Sequence, residues 1–194
     1  MIENENKCNK VFDSIIDWLE SFLFAIFIVI LVFTFILRTV VVKGSSMEPN
    51  FHDKDRLIIS HFNLTPEKGD ILVMNCDTPQ LRETIIKRCI GTEGDKIKID
   101  YNNNTLEVNG EIMSNEYLGE QMYDKPSFNK TFVVEDGVYE YQVPVGKIFV
   151  LGDNRNGSSD SRIVGFIDVE DVLGKVVFRM YPFDTVGVID SFIK

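Results

Sequence analysis

From Phe22 to Leu37 the chain runs for 16 residues without a charge, and Thr34 is the single polar side chain among them. Carried back to Trp18, the stretch is about 20 residues long, and as a helix rising 1.5 Å per residue it spans roughly 30 Å, the thickness of a bilayer's hydrocarbon core. A core helix of a globular domain would place polar residues at every third or fourth position, and this one does not. Trp18 and Arg38 stand where interfacial anchors belong. These features predict a transmembrane anchor over 18–38, preceded by a short segment over 1–17. A cleaved leader would have a shorter apolar stretch and a small-x-small junction after it. Here Arg38-Thr39-Val40-Val41-Val42-Lys43 follows, so an uncleaved anchor is expected. Charge leaves the orientation open. Lys7 and Lys10 precede the span among five acidic residues, and Arg38 and Lys43 follow it.

Beyond residue 38 the texture changes. Short runs rich in branched apolar residues, at 56–59, 70–74, 147–151 and 175–180, read as strands. Residues 96–100 alternate, turn at Asn102-Asn103-Asn104, continue through 105–108 and turn again at Asn109-Gly110, which reads as a meander. Residues 130–134 and 138–143 flank Asp136-Gly137 as a further hairpin. No stretch after residue 40 holds a helical period for three turns. The expected fold is therefore all-β, with antiparallel sheets in a sandwich or partly closed barrel over 39–194 and a smaller hairpin subregion over 96–147.

The 194 residues carry a formal charge of -10, and beyond residue 43 there are 25 Asp and Glu against 16 Lys and Arg. Phosphate binding needs clustered cations, so nucleic acid is excluded as a partner. Anionic lipid attracts such a domain no better, and apolar contact must hold it near a membrane. Cys8, Cys76 and Cys89 have no metal-site or redox spacing. Cys76 and Cys89 are read either as two small buried thiols or as a disulfide on an oxidising side.

Three segments carry residues that neither a core nor a solvated face requires. In Gly44-Ser45-Ser46-Met47-Glu48-Pro49, the glycine and proline would hold Ser46 on a fixed turn, though a plain loop has the same composition. In Ile85-Ile86-Lys87-Arg88-Cys89-Ile90-Gly91, each face of a strand carries one cation between apolar neighbours. Those cations either snorkel from an edge strand, or Lys87 is buried so that its amine can be neutral and accept a proton. The segment from Gly152 to Arg162 interleaves Asp153, Arg155, Ser158, Asp160 and Arg162, a pattern suited to ion pairs that stiffen a loop.

In this order, after a single span, Ser-Met-x-Pro, Lys-Arg-x-x-Gly-x-x-Gly-Asp and Gly-Asp-Asn-Arg-x-x-Ser-x-Asp-Ser-Arg resemble the type I signal peptidases. The compact length resembles the Gram-positive form. The resemblance implies a β fold shared with self-cleaving repressors and an endopeptidase that uses no cofactor and no metal. Ser46 would be the nucleophile and Lys87 the general base. Ser158 would orient the lysine, with Asp153, Arg88, Asp160 and Arg162 as a supporting network and an oxyanion site at Ser46 and Gly44. Gly44 stands where some relatives have a serine hydroxyl, and Asn50 replaces a usual threonine. The resemblance also implies a bacterial cell membrane with the N-terminus cytoplasmic and the peptidase domain outside. The substrates would be signal-peptide-bearing precursors with a small-x-small junction, met beside the bilayer and the secretion translocon. Val42, Met47, Phe51 and Ile86 flank the two reactive residues and are expected as pocket walls, although ordinary core packing would use the same residue types.

Ser46 lies eight residues beyond Arg38, so at 3.3–3.6 Å per residue the tether reaches at most about 26–29 Å. A scissile bond just past a substrate's own apolar helix would lie at that height. A Ser-His-Asp hydrolase has little to work with, since His52 and His61 sit in charged, loop-like surroundings and no Gly-x-Ser-x-Gly elbow occurs. The alternative from another class is a catalytically silent relative that binds exported subunits such as pilins. Retention of Ser46, Lys87 and Ser158 together argues against it.

Overall fold

The computed structural model describes residues 2–35, 37–62, 64–123 and 133–189. The chain divides into two compact units, 1–38 and 39–194.

The first unit is built on helix α1, Ile2–Phe35. No glycine or proline occurs before Gly44, so nothing interrupts the helix. Its Ser14–Val32 stretch has a mean hydropathy of 2.4 and is long and apolar enough to cross a membrane. The helix begins well before Trp18 and ends before Leu37. Leu37 and Arg38, expected to close the anchor, instead open strand β1, Leu37–Val41. The β-branched Thr39, Val40 and Val41 explain this, because their stiff χ1 suits a pleated strand better than a helix.

In the second unit, β2 (Arg56–Ser60), β3 (Ile71–Asp77) and β4 (Arg82–Gly91) are followed by a separate group, then by β10, Lys147–Leu151. A single helical turn α2 (Ser161–Val164), β11 (Ile167–Asp168), β12 (Val172–Tyr181) and β13 (Gly187–Val188) complete the chain. The larger sheet has the order β1-β2-β12-β3-β4-β10-β11, with β13 on β12. The separate group comprises β5 (Lys96–Asp100), β6 (Thr105–Val108), β7 (Glu111–Ile112), β8 (Val133–Glu135) and β9 (Val138–Gln142). These form a second sheet, β7-β6-β5-β9-β8. Asn109 (φ 55°) and Gly110 (φ 86°) make the β6–β7 turn in the left-handed region that a two-residue hairpin requires. Of the strand expected at 130–134, residues 130–132 lie outside the described residues. The two-residue strands β7, β11 and β13 are too short to leave a period in the sequence.

Alternation places the cores. Ile97 and Ile99 turn inward and Lys96 and Lys98 outward, and the inward residues join Leu106, Val108, Tyr141 and Phe149 under the smaller sheet. The larger sheet carries one core on each face. Val42, Met47, Phe51, Leu57, Ile71, Val73 and Ile86 pack on one side. Leu72, Met74, Cys76, Ile85, Cys89 and Val150 pack on the other. Cys76 and Cys89 are both free buried thiols. Burial pushes the Cys89 thiol up to about 12, so it is an inert apolar filler rather than half of a bridge.

Strand β4 positions the site. Strand β3 pairs with it from Arg82 to Arg88, whereas on the other edge β10 takes up only Arg88, Cys89 and Gly91. The half of β4 before Arg88 therefore offers its second edge to a cleft.

Candidate active site

The loop carrying Ser46 is pegged down by its neighbours. Met47 and Phe51 are fully buried, and full burial of side chains this size contributes about 1.5–3 kcal/mol each. Gly44 turns the chain at φ 79°, and its N–H donates to Asp53 Oδ1 at 3.0 Å. From the other side, Asn154 donates its backbone N–H to the Ser46 carbonyl at 3.1 Å and its side-chain amide to the Ser45 carbonyl at 3.2 Å. With its carbonyl occupied, Ser46 presents its hydroxyl and its own N–H, which no described residue accepts.

Lys87 reaches this hydroxyl from β4. Its Nζ lies 2.7 Å from Ser46 Oγ and donates to the Ile86 carbonyl at 3.0 Å. The residue is only 3% exposed. Burial lowers its pKa below the ordinary lysine value, because the ammonium form is poorly solvated there, while Asp160, Glu83 and Asp153 pull in the opposite direction. A neutral amine in hydrogen-bond contact with a serine hydroxyl can take its proton.

Beside Lys87, Arg88 is fully buried and grips Asp153 as a fork, Nε to Oδ1 at 2.8 Å and Nη2 to Oδ2 at 2.7 Å. Arg162 grips Asp160 in the same way, at 2.8 Å on both oxygens. Burial alone would raise the Asp160 pKa, but the Arg162 charge and hydrogen bonds hold it below the usual carboxylate range. Asp160 also accepts the Gly152 N–H at 3.0 Å. Breaking one of these buried pairs is expensive. Arg88→Met should lower stability by about 3–5 kcal/mol, because Asp153 then keeps a buried charge with little beyond an amide from Asn50 (2.8 Å) to meet it. Thermal unfolding of the detergent-solubilised variant measures the loss.

The remaining expected residues divide. Val42 and Ile86 do line a cleft of about 400 Å³, with Val40, Val73, Glu83, Ser46 and Lys87. Met47 and Phe51 are not walls but core beneath it, fully inaccessible. The Gly44 N–H is committed to Asp53, whereas the Ser46 N–H has no acceptor among the described residues. Ser158 makes no hydrogen bond to Lys87. Its hydroxyl is shut from solvent without a properly aligned partner and lies near enough to Asp160 to favour the ionised carboxylate.

Two contributors, Asn50 and Asn154, have no role assigned from the sequence, and a third, Arg155, is expected only as a member of the ion-pair pattern. Asn50 bridges Asp153 and the Tyr117 carbonyl at 2.8 and 2.9 Å. Asn154 holds the serine loop, as above. Arg155 is 1% exposed and donates to Gly152 O at 3.1 Å and Tyr117 Oη at 2.7 Å. Asn154 and Arg155 lie inside the Gly-Asp-Asn-Arg string, so their motif position was the available signal.

Known proteins resemble this chain over most of its length. The family model described as signal peptidase, peptidase S26, matches residues 15–181. Signal peptidase IB of Staphylococcus aureus (strain COL) is 36% identical over 178 residues, covering 87% of this chain and 91% of that one. Signal peptidase I P of Bacillus subtilis subsp. natto is 34% identical over 177 residues, covering 89% and 92%. A crystal structure of a signal peptidase I from Enterococcus faecalis V583 aligns with 29% identity and a TM-score of 0.44, over 58% of this chain and 97% of that one.

Proposed function

The chain belongs to the signal peptidase family of S26 peptidases, and on that footing we propose that Ser46 is its nucleophile and Lys87 its general base. The protein is an endopeptidase that removes signal peptides from precursor proteins, and its apolar N-terminal helix anchors it to a membrane.

In the proposed reaction Ser46 Oγ attacks the scissile carbonyl carbon as Lys87 Nζ takes the hydroxyl proton. The carbonyl π bond opens, and the oxyanion takes up the Ser46 N–H, a contact of a kind whose removal costs about 2.7–4 kcal/mol in other serine enzymes. Collapse breaks the C–N bond, and Lys87 returns its proton to the leaving amine, which becomes the new N-terminus. Water then attacks the acyl ester as it gives a proton to Lys87 Nζ, the bond between Ser46 Oγ and the acyl carbon breaks, Lys87 returns that proton to Ser46 Oγ, and the signal peptide leaves as a carboxylic acid. Asp153, Arg88, Asp160 and Arg162 keep the frame rigid, and Ser158 lies behind Gly152 as part of it.

The substrate would lie extended in the cleft between residues 40–43 and the free half of β4, adding a strand whose alternate side chains meet its walls. The branched Val42, Val73 and Ile86 crowd those walls, which suits small residues at the junction. We place the peptidase domain on the outer side of a bacterial membrane, beside the translocon from which precursors emerge. Met180, Tyr181, Phe183, Val186 and Val188 support lipid contact: all are exposed, Phe183 by 84%. They give this acidic domain an apolar surface to rest on lipid.

The observation that carries the proposal is the 2.7 Å contact between a hydroxyl and an amine with almost no access to water. Purified protein should cut a precursor bearing an Ala-x-Ala junction directly after the second Ala, as mapped from the new N-terminus. Ser46→Ala should leave that precursor whole. Cleavage by Ser46→Ala would remove the serine from the mechanism.

A further inference from the structure

We propose that Tyr117 is a positioning residue for this reaction, holding the nucleophile loop in place through Asn50 and through two buried arginines. It lies between β7 and β8 in the chain, in none of the three motifs. Even so, its carbonyl, its hydroxyl and its ring all meet the network behind Ser46.

Its carbonyl accepts from Asn50 Nδ2 at 2.9 Å, and Asn50 sits four residues past Ser46 on the same loop. The second hydrogen of that amide goes to Asp153 Oδ2 at 2.8 Å. Its hydroxyl oxygen accepts from Arg155 Nη2 at 2.7 Å. Its ring lies under both guanidinium groups, with Arg88 Cζ 4.6 Å and Arg155 Cζ 5.8 Å from the centroid.

The charges explain why an aromatic alcohol stands there. Arg88 has Asp153 as a counterion. Arg155 is equally buried, yet among the described residues its partners are neutral: the Gly152 carbonyl, Met122 Sδ and the Tyr117 hydroxyl. Two like charges close together out of water repel. A π face is negative to both, and a phenolic oxygen gives the unpaired one an acceptor. Arg155 in turn holds the carbonyl of Gly152, whose Cα abuts the Ser46 carbonyl. Tyr117 thus reaches the nucleophile by two routes, one through Asn50 along the serine loop and one through Arg155 and Gly152, and touches none of the reacting atoms.

The inference rests on the serine–lysine reading, so the test includes a variant that separates the two. The full chain in detergent, with Tyr117→Phe, Tyr117→Leu and Ser46→Ala, is assayed on an Ala-x-Ala precursor, with rates scaled to the folded fraction from circular dichroism. Tyr117→Phe keeps the ring but strands an Arg155 donor. Tyr117→Leu removes the ring as well. Because small displacements of reacting groups act on turnover, kcat should fall about 5- to 10-fold in the first and roughly 50-fold in the second, with KM within about twofold. Wild-type kcat in Tyr117→Phe overturns the proposal, as does a loss carried by KM, which would make Tyr117 a substrate contact. Should Tyr117→Leu not fold, Tyr117→Phe decides alone. A wild type no faster than Ser46→Ala sinks the serine–lysine reading itself. An active wild type, a dead Ser46→Ala and an unaffected Tyr117→Phe sink only the role of Tyr117.

Discussion

Lys87→Arg is expected to be inactive at every pH, with turnover reduced by at least about 10³-fold and the fold retained. A guanidinium stays protonated throughout the accessible range, so it can donate to the Ser46 hydroxyl but never take its proton. The wild type should behave differently. Burial lowers the Lys87 pKa, so the amine is neutral and active above that value. Activity is then lost as pH falls through it and the ammonium forms. This acid limb should follow a single protonation, with circular dichroism unchanged across it. A wild-type rate that held level down to the carboxylate range would assign the proton transfer elsewhere, and so would measurable turnover by the arginine variant.

Gly152→Ala should have the second largest effect, for steric reasons. A methyl group built there would fall 2.5 Å from the Ser46 carbonyl oxygen and would overlap the Ser158 hydroxyl. The Ser46 carbonyl cannot retreat easily. The Ser46 carbonyl is fixed by Asn154, and the glycine peptide is clamped by Asp160 on its N–H and Arg155 on its carbonyl. The contact can be relieved only by moving the serine loop away from Lys87. Displacements of this kind cost about 10²-fold in rate, so kcat should fall by at least that much while KM changes little. Steady-state kinetics on the folded variant is the check, and a kcat near wild type would show that the loop is far softer than its hydrogen bonds imply.

The motifs were legible because each is contiguous and chemically unusual. A lysine between isoleucines, or aspartates interleaved with arginines, stands out against any background of strands. The strands with clean alternation, such as Lys96–Asp100, were legible for a similar reason. Contacts between distant loops left no such trace. Nothing near Asn50 hints at Tyr117, 67 residues away, and neither residue belongs to a period. Met47 and Phe51 show a different limit. An apolar residue next to a nucleophile can line the pocket or anchor the loop from below, and only the course of the loop decides. The helix gives way to a strand at Leu37 for a local reason. Leu37 is as apolar as the helix before it, but the β-branched residues after it draw it into β1.

The central claim is that one amine beside Ser46 is kept neutral by its burial, and direct titration of that amine tests it best. With lysine side chains carrying an NMR-active label and Lys87→Met identifying the resonance, the account predicts that the Lys87 signal titrates well below the ordinary lysine value and is already largely neutral where the enzyme is active. A Lys87 signal that titrates at the ordinary lysine value of about 10.4 would contradict it.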